Sequence, residues 1–274
     1  MKSISPHSLK KAIEQRFALL TPQAQQLPPL GSRPVTVAGR VAGWVGARPA
    51  QCLARLAGVN LDEEVLRIDT CASQRLSLNQ VLERIAHCLN DNNFVRSWRN
   101  ELLAVIGEGQ ELAAIERGAV RALGFLTQAV HLNGWSSDGR IWAAKRAASK
   151  SSDPNMWDTL VGGLAVANES LDTSLLRESY EEAGLEESML LAREPMHIVL
   201  RMHRRLPEGY QVENALVSDC VLADGVVPRN MDGEVSEFRL LDMDEWWSMI
   251  EAEQFTLEAQ LVMMDSVKRR LEQA

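Results

Sequence analysis

Glu178, Glu181 and Glu182 stand at i, i+3 and i+4, a spacing that puts three carboxylates on one face of a helix. Like charges so placed repel, and a helix has no structural reason to gather them. A divalent cation removes the repulsion, and hard carboxylate oxygens suit magnesium or manganese. Arg177 is four residues before Glu181, where its guanidinium can orient a carboxylate by a bidentate contact. Upstream, Gly162 and Gly163 allow a loop to bring backbone close to a metal and to phosphate oxygens. Thr173 or Asp172 can cap the helix, which should run to about Ala183, and Gly184 suits its left-handed C-cap.

The same residues form a longer pattern. Gly163, Glu169, Arg177, Glu178, Glu181, Glu182, Gly184 and Leu185 fit G-x5-E-x7-R-E-U-x-E-E-x-G-U, with Ser179 where a bulky aliphatic residue is usual. The stretch 163–185 therefore resembles the Nudix box. That resemblance implies an α/β fold, a Nudix α/β/α sandwich with a mixed sheet, and a pyrophosphohydrolase that uses Mg2+ or Mn2+. It implies a metal on Glu178, Glu181, Glu182 and the Gly162 carbonyl, with Arg177 and Glu169 as supports beside Gly163 and Gly184. The chemistry implied is attack of an activated water on a phosphorus of an organic diphosphate, with a carboxylate taking the proton. In this family the base comes from the helix or from a later loop. Asp232-Gly-Glu234-Val-Ser-Glu237 supplies loop candidates, of which Glu234 is preferred.

Nearly the whole chain is similar to a narrower group, the Nudix part of thiamine pyrophosphokinase-related proteins. The residues that carry this likeness are Glu116-Arg-Gly-Ala119, His131-Leu-Asn-Gly-Trp135, Arg146 with Lys150, Pro154, Trp157-Asp-Thr-Leu-Val-Gly-Gly163 and Asp232-Gly-Glu-Val235. The likeness implies hydrolysis of thiamine diphosphate, or of its damaged analogues, to the monophosphate. Aromatic residues associated with that group are missing around Leu216-Val-Ser-Asp219. Trp157, Trp135 and Tyr210 are the candidate ring-stacking replacements, and Trp157 is assigned to substrate binding. Arg201, His203 and Arg205 alternate along one segment and would share a strand face. Arg201 and His203 are candidates to grip substrate phosphates, against the plainer reading of a solvated face.

The elements that must position these groups can be read in outline. A loop at 26–34 precedes a strand region from Val35 to Val45, and Glu64 to Ile68 reads as a short strand. Ser77-x-x-Gln80 is a capping box, followed by apolar Leu78, Val81, Leu82, Ile85 and Leu89 at helical spacing, with a stop at 90–93. Gly107-Glu-Gly-Gln110 interrupts the pattern near a boundary. We expect a smaller α+β N-terminal module at 1–115 and the hydrolase domain at 116–274. Val120 to His131 reads as a strand, Asn133-Gly134 and Asp138-Gly139 as turns, and Arg140 to Lys145 as a second strand. Residues 149–155 should be a loop, while 197–205 and 212–222 flank a hairpin turn at Pro207-Glu-Gly209. Leu257 to Leu271 closes the chain as an amphipathic helix. Trp246-Trp247, in the acidic helical segment 242–253, should pack at a domain edge or a homodimer face.

Composition narrows the classes. With 46% hydrophobic and 24% charged residues, the chain has the balance of a globular protein with a sizeable core. A net charge of −8 argues against nucleic acid as a partner, which requires basic surface. No apolar run is long enough for a membrane span, and the N-terminal stretch lacks a signal-peptide core, so a cytoplasmic location is expected. Cys52, Cys71, Cys88 and Cys220 are scattered singly, which suggests reduced, packed side chains rather than a zinc or redox site. Two further functions stay open, an ADP-sugar or dinucleotide pyrophosphatase and a non-catalytic nucleotide sensor. The intact glutamates disfavour the sensor.

Overall fold

Ser5 accepts a hydrogen bond from the Ser8 N–H and Pro6 sits in the first turn, so the chain enters a helix, α1 (Pro6–Ala24). A proline there forfeits no hydrogen bond. The computed structural model describes residues 4–273, and sequence reading does not anticipate this helix. Beyond it the region read as one strand, Val35 to Val45, is a hairpin of β1 (Arg33–Val37) and β2 (Arg40–Val45). Its turn needs Ala38 and Gly39 at positive φ, which the Val- and Ala-rich pattern conceals. Helix α2 (Ala47–Leu53), β3 (Val59–Leu61) and β4 (Leu66–Ile68) follow. These strands form a four-stranded sheet in the order β2-β1-β4-β3, with β1 and β4 parallel.

Helix α3 (Leu78–Asp91) has the expected reciprocal capping box between Ser77 and Gln80. It buries Val81, Leu82, Ile85 and Leu89 against the sheet. The Gly107–Gln110 break is a turn inside the hairpin of β5 (Leu102–Gly107) and β6 (Gln110–Glu116). Next, Val120 to Leu123 form a short helix, α4, ended by Gly124 at φ +57°. Strand β7 (Leu126–Trp135) therefore begins later than the pattern suggests and runs through Asn133-Gly134. Ala119, Val120, Leu123 and Phe125 complete the first core, together with α2, α3 and the early strands.

The second sheet has seven strands. Its path is β11 (His197–Leu206), β12 (Gly209–Val221), β7, β8 (Ile141–Arg146) and β13 (Val235–Leu241), with β10 (Val161–Leu164) on β7 and β9 (Trp157–Asp158) on β8. The β12–β7 pair is parallel and the others are antiparallel, so the sheet is mixed. Alternation along β7 sends Val130 and Leu132 to one face, where they pack with Leu175 and Ala183 of helix α5 (Leu171–Ala183). Trp135 belongs to the opposite core, built with helix α6 (Met243–Glu251), helix α7 (Leu257–Gln273) and α1. This is an α/β/α sandwich preceded by an α+β unit.

Two packing details qualify the outline. Helix α1 lies outside the first core, and its Leu9, Ile13 and Leu20 are buried with Leu261, Met264 and Val267 of α7. Trp246 and Trp247 are both buried in that same core and so are unavailable to a dimer face. The four cysteines are free, with Cys52 and Cys88 placing their sulfurs 3.2 Å apart. Among the described residues no helix is long and apolar enough to cross a membrane.

Candidate active site

Helix α5 begins two residues earlier than the sequence suggests. Ser170, rather than Thr173 or Asp172, caps it by accepting a hydrogen bond from the Thr173 N–H at 3.0 Å. Gly184 ends it at φ +63°, donating to the Tyr180 carbonyl, while the Leu185 N–H reaches Ser179. Ser179, at the position where an aliphatic residue is usual, is fully buried.

The Arg177 guanidinium organises one half of the site. Its Nη1 donates to Glu178 Oε1 at 2.9 Å and to Glu181 Oε2 at 3.0 Å, and its Nε to Glu169 Oε2 at 3.2 Å. Ser174 also donates to Glu169. Gly163 crosses directly over Glu178, where an added Cβ would collide with the carboxylate. Burial pushes Glu178 above the usual carboxylate range, against the pull of Arg177.

Glu182 organises the other half. Its Oε2 accepts from the Gly162 N–H at 2.9 Å, so the Gly162 backbone edge faces α5. The ammonium of Lys150 reaches Glu182 Oε1 at 3.4 Å and also pairs with Glu234. Burial pushes Glu182 up to about 7, against Lys150 and the Gly162 N–H. Oxygens of Glu182, Asp232 and Glu234 lie within 4.8 Å of one another. The converging trio is therefore Glu182 with two loop carboxylates, whereas Glu178 and Glu181 are held by Arg177. These residues fit a divalent cation. The donors are hard oxygens, and two of the carboxylates are buried where a second positive charge would offset their desolvation.

A cavity of about 420 Å³ opens beside this site and shares Arg146, Lys150, Asp158 and Gly162 with the pit in front of Glu182. Arg146 steadies Asp158 through a 2.8 Å contact. Buried His131 also lines the cavity and joins Thr159 and Glu258, each at 3.1 Å. Glu213 is held below its ordinary range. Burial opposes this, but Arg121, Thr127 and Gln211 outweigh it.

The expected substrate-binding residues lie elsewhere. Arg201 donates to Asn214 at 2.8 Å and accepts from Gln25 through its carbonyl. The His203 carbonyl accepts from the Gln26 N–H, and Arg205 binds the Leu27 carbonyl. This strip holds the segment after α1 along the edge of β11, and none of the three lines the cavity. Arg204, of opposite parity on the same strand, does line it. Trp157 is buried, with Lys145 and Arg239 over its ring. Trp135 lies under Arg270, and Tyr210 donates to the Gln26 carbonyl. No Phe, Tyr or Trp lines the cavity among the described residues.

The mixed sheet, the glycine strand β10 and the carboxylate helix α5 define an α/β/α sandwich with a carboxylate-lined site. Residues 128–261 match the NUDIX domain family. The chain is 27% identical over 191 residues to an uncharacterised protein, YJR142W, of Saccharomyces cerevisiae, covering 64% of this chain and 56% of that one. It is 29% identical over 216 residues to a protein named Nudix hydrolase 20, chloroplastic, of Arabidopsis thaliana, covering 74% and 57%. The chain thus spans a little over half the length of these relatives. A solved structure, DR0079 of Deinococcus radiodurans, superposes with a TM-score of 0.46 at 22% identity, over 62% of this chain and 98% of that one.

Proposed function

We propose that the chain is a metal-dependent pyrophosphohydrolase that cleaves the phosphoanhydride of an organic diphosphate. The observation that carries this reading is the meeting of α5, the Gly162–Gly163 strand and the Asp232–Glu234 loop around buried Glu182, at the mouth of a ligand-sized cavity. Mg2+ or Mn2+ bound there supplies charge neutralisation at the anhydride oxygens and a more acidic water. Arg177 fixes Glu178 and Glu181, Lys150 positions Glu182 and Glu234, and exposed Glu234 is the preferred acceptor of the water's proton. Gly162, Glu178, Glu181 and Glu182 remain the proposed ligands, with Glu169, Gly163 and Gly184 as support.

For the organic group, thiamine diphosphate or a damaged analogue, cleaved to the monophosphate, is the preferred substrate. The sequence likeness supports it, and buried Glu213 with half-buried Glu258 at the cavity suits a cationic or donor-rich ring. An ADP-sugar or dinucleotide is the second reading, favoured by arginine planes in a cavity without aromatic side chains. The Arabidopsis relative is called chloroplastic; a cytoplasmic location and a homodimer are proposals for this chain.

The test is a hydrolysis panel of thiamine diphosphate, its oxo and oxy analogues, ADP-ribose and a dinucleoside polyphosphate with magnesium. Thiamine-type diphosphates are expected to give the highest kcat/KM, chelation to stop turnover, and Glu182→Gln to lower kcat about a hundredfold or more in a folded protein. A tenfold preference for ADP-ribose, about 1.4 kcal/mol, would move the assignment to the second reading. Full activity after chelation, or in Glu182→Gln, would remove the carboxylate site from the mechanism.

A further inference from the structure

The cavity has a wall that the chemistry above does not use. Arg96 and Arg99 follow α3, Arg117 and Arg121 flank and form α4, and Arg204 comes from β11, and all line the cavity. In a chain of net charge −8, five guanidinium groups gather on this wall. Existing partners absorb only part of their charge. Arg117 is matched by Glu101 at 2.6 Å and Arg121 by Glu213 at 3.1 Å. Arg99 rests on the Ser151 hydroxyl at 3.0 Å, while Arg96 and Arg204 make no side-chain hydrogen bond or ion pair among the described residues. Arg121 Nη1 and Gln211 Oε1 are buried without a partner among those residues, and both side chains line the cavity. Buried polar atoms are rarely left so unless water or a ligand meets them.

We propose that Arg96, Arg99, Arg121 and Arg204 form an anion site for the diphosphate end of the substrate, with two arginines from before residue 116 and two from after it. Its place in the reaction rests on the hydrolase reading, whereas its affinity for an anion does not. The site adjoins the carboxylates. Arg99 binds Ser151, and the preceding residue, Lys150, holds Glu182 and Glu234. Guanidinium groups pair with phosphate oxygens in a fixed fork; Arg96, Arg99 and Arg204 form no ion pair among the described residues, and Arg121 keeps Nη1 without a partner among them beside its pair with Glu213. The ligand class is a diphosphate or longer phosphate chain.

The experiment uses the full chain with a chelator, so that no divalent cation contributes. Inorganic diphosphate is titrated calorimetrically at about 0.05 and about 0.5 M salt, a range over which exposed ion pairs are progressively screened. Wild type is expected to bind, more weakly at high salt. Arg96→Ala/Arg204→Ala is expected to bind at least about tenfold more weakly, or about 1.4 kcal/mol, with an unchanged circular dichroism spectrum. Arg99→Gln, which keeps a donor for Ser151, should weaken binding in the same direction, and Glu181→Gln should bind as tightly as wild type or tighter. The proposal is overturned if wild type shows no salt-sensitive binding without metal, or if the arginine variants bind like wild type. A chain that binds diphosphate in this way yet hydrolyses no member of the panel keeps the anion site and loses the hydrolase reading. Hydrolysis by variants whose diphosphate affinity is unchanged does the reverse.

Discussion

Gly163 shows how little room the carboxylate helix leaves. The strand passes so close to Glu178 that a methyl group cannot be added without displacing that carboxylate or the backbone. Gly163→Ala is therefore expected to lower kcat at least tenfold and to destabilise the fold by about 1–3 kcal/mol, as overpacking does. Gly46→Ala is the matched control, because its added Cβ would meet only Pro49 at an ordinary 3.8 Å. Equal activity in the two variants would show that Glu178 can move without cost. The carboxylates were legible in sequence because they belong to one short helix, where spacing alone sets their face. Lys150, Arg99 and Arg204 were not, because they arrive from separate loops and strands that only the topology brings together. On β11 both parities carry basic residues, so no apolar alternation marks the face turned to the cavity. The spacing favours Arg201 and His203, whereas Arg204 is the residue that lines it.

At the scale of elements, the readable ones had local signatures, such as the α3 capping box and the β11–β12 turn. Those misread had ambiguous ones. Val120–Leu123 is apolar apart from Arg121 and β-branched at its start, yet it forms a helical turn because Val120, Ala122 and Leu123 complete the first core before Gly124 redirects the chain. Asn133-Gly134 has turn chemistry but stays in β7, paired residue by residue with Asp219 and Cys220 of β12. These packing relations bear on the proposed division at 115/116. A chain of residues 116–274 lacks α1, exposing the α7 residues that α1 covers, and it separates Leu123 and Phe125 from their core. We expect that fragment to be poorly soluble and to melt without a cooperative transition, and α1 joined to it through a flexible linker to recover part of the soluble yield. Soluble expression and calorimetry are the measurements. A sharp transition for 116–274 alone would support a boundary at 115/116.

For the whole molecule, the sandwich followed from the Nudix box and the strand pattern, while the attachment of α1 did not, because contacts so distant along the chain leave no local periodicity. Lys10 pairs with Glu272 at 3.0 Å and Arg16 reaches Gln260 at 3.1 Å, beneath which the two helices share one core. The consequence is temporal. During synthesis α1 emerges before α7, the surface that will cover it, and every described strand emerges between them. Closing so long a loop is entropically costly until the intervening sheet has formed, so α1 must wait with its apolar face open, as early segments of larger chains do. A chain stopped after residue 256 is expected to be cut rapidly by trypsin at Lys10, Lys11 or Arg16, whereas the full chain is protected there. Equal protection in both would mean that α1 docks before α7 exists. On the order described, α7 acts as a release from exposure: until it is made, α1 is left as a handle for chaperones and proteases.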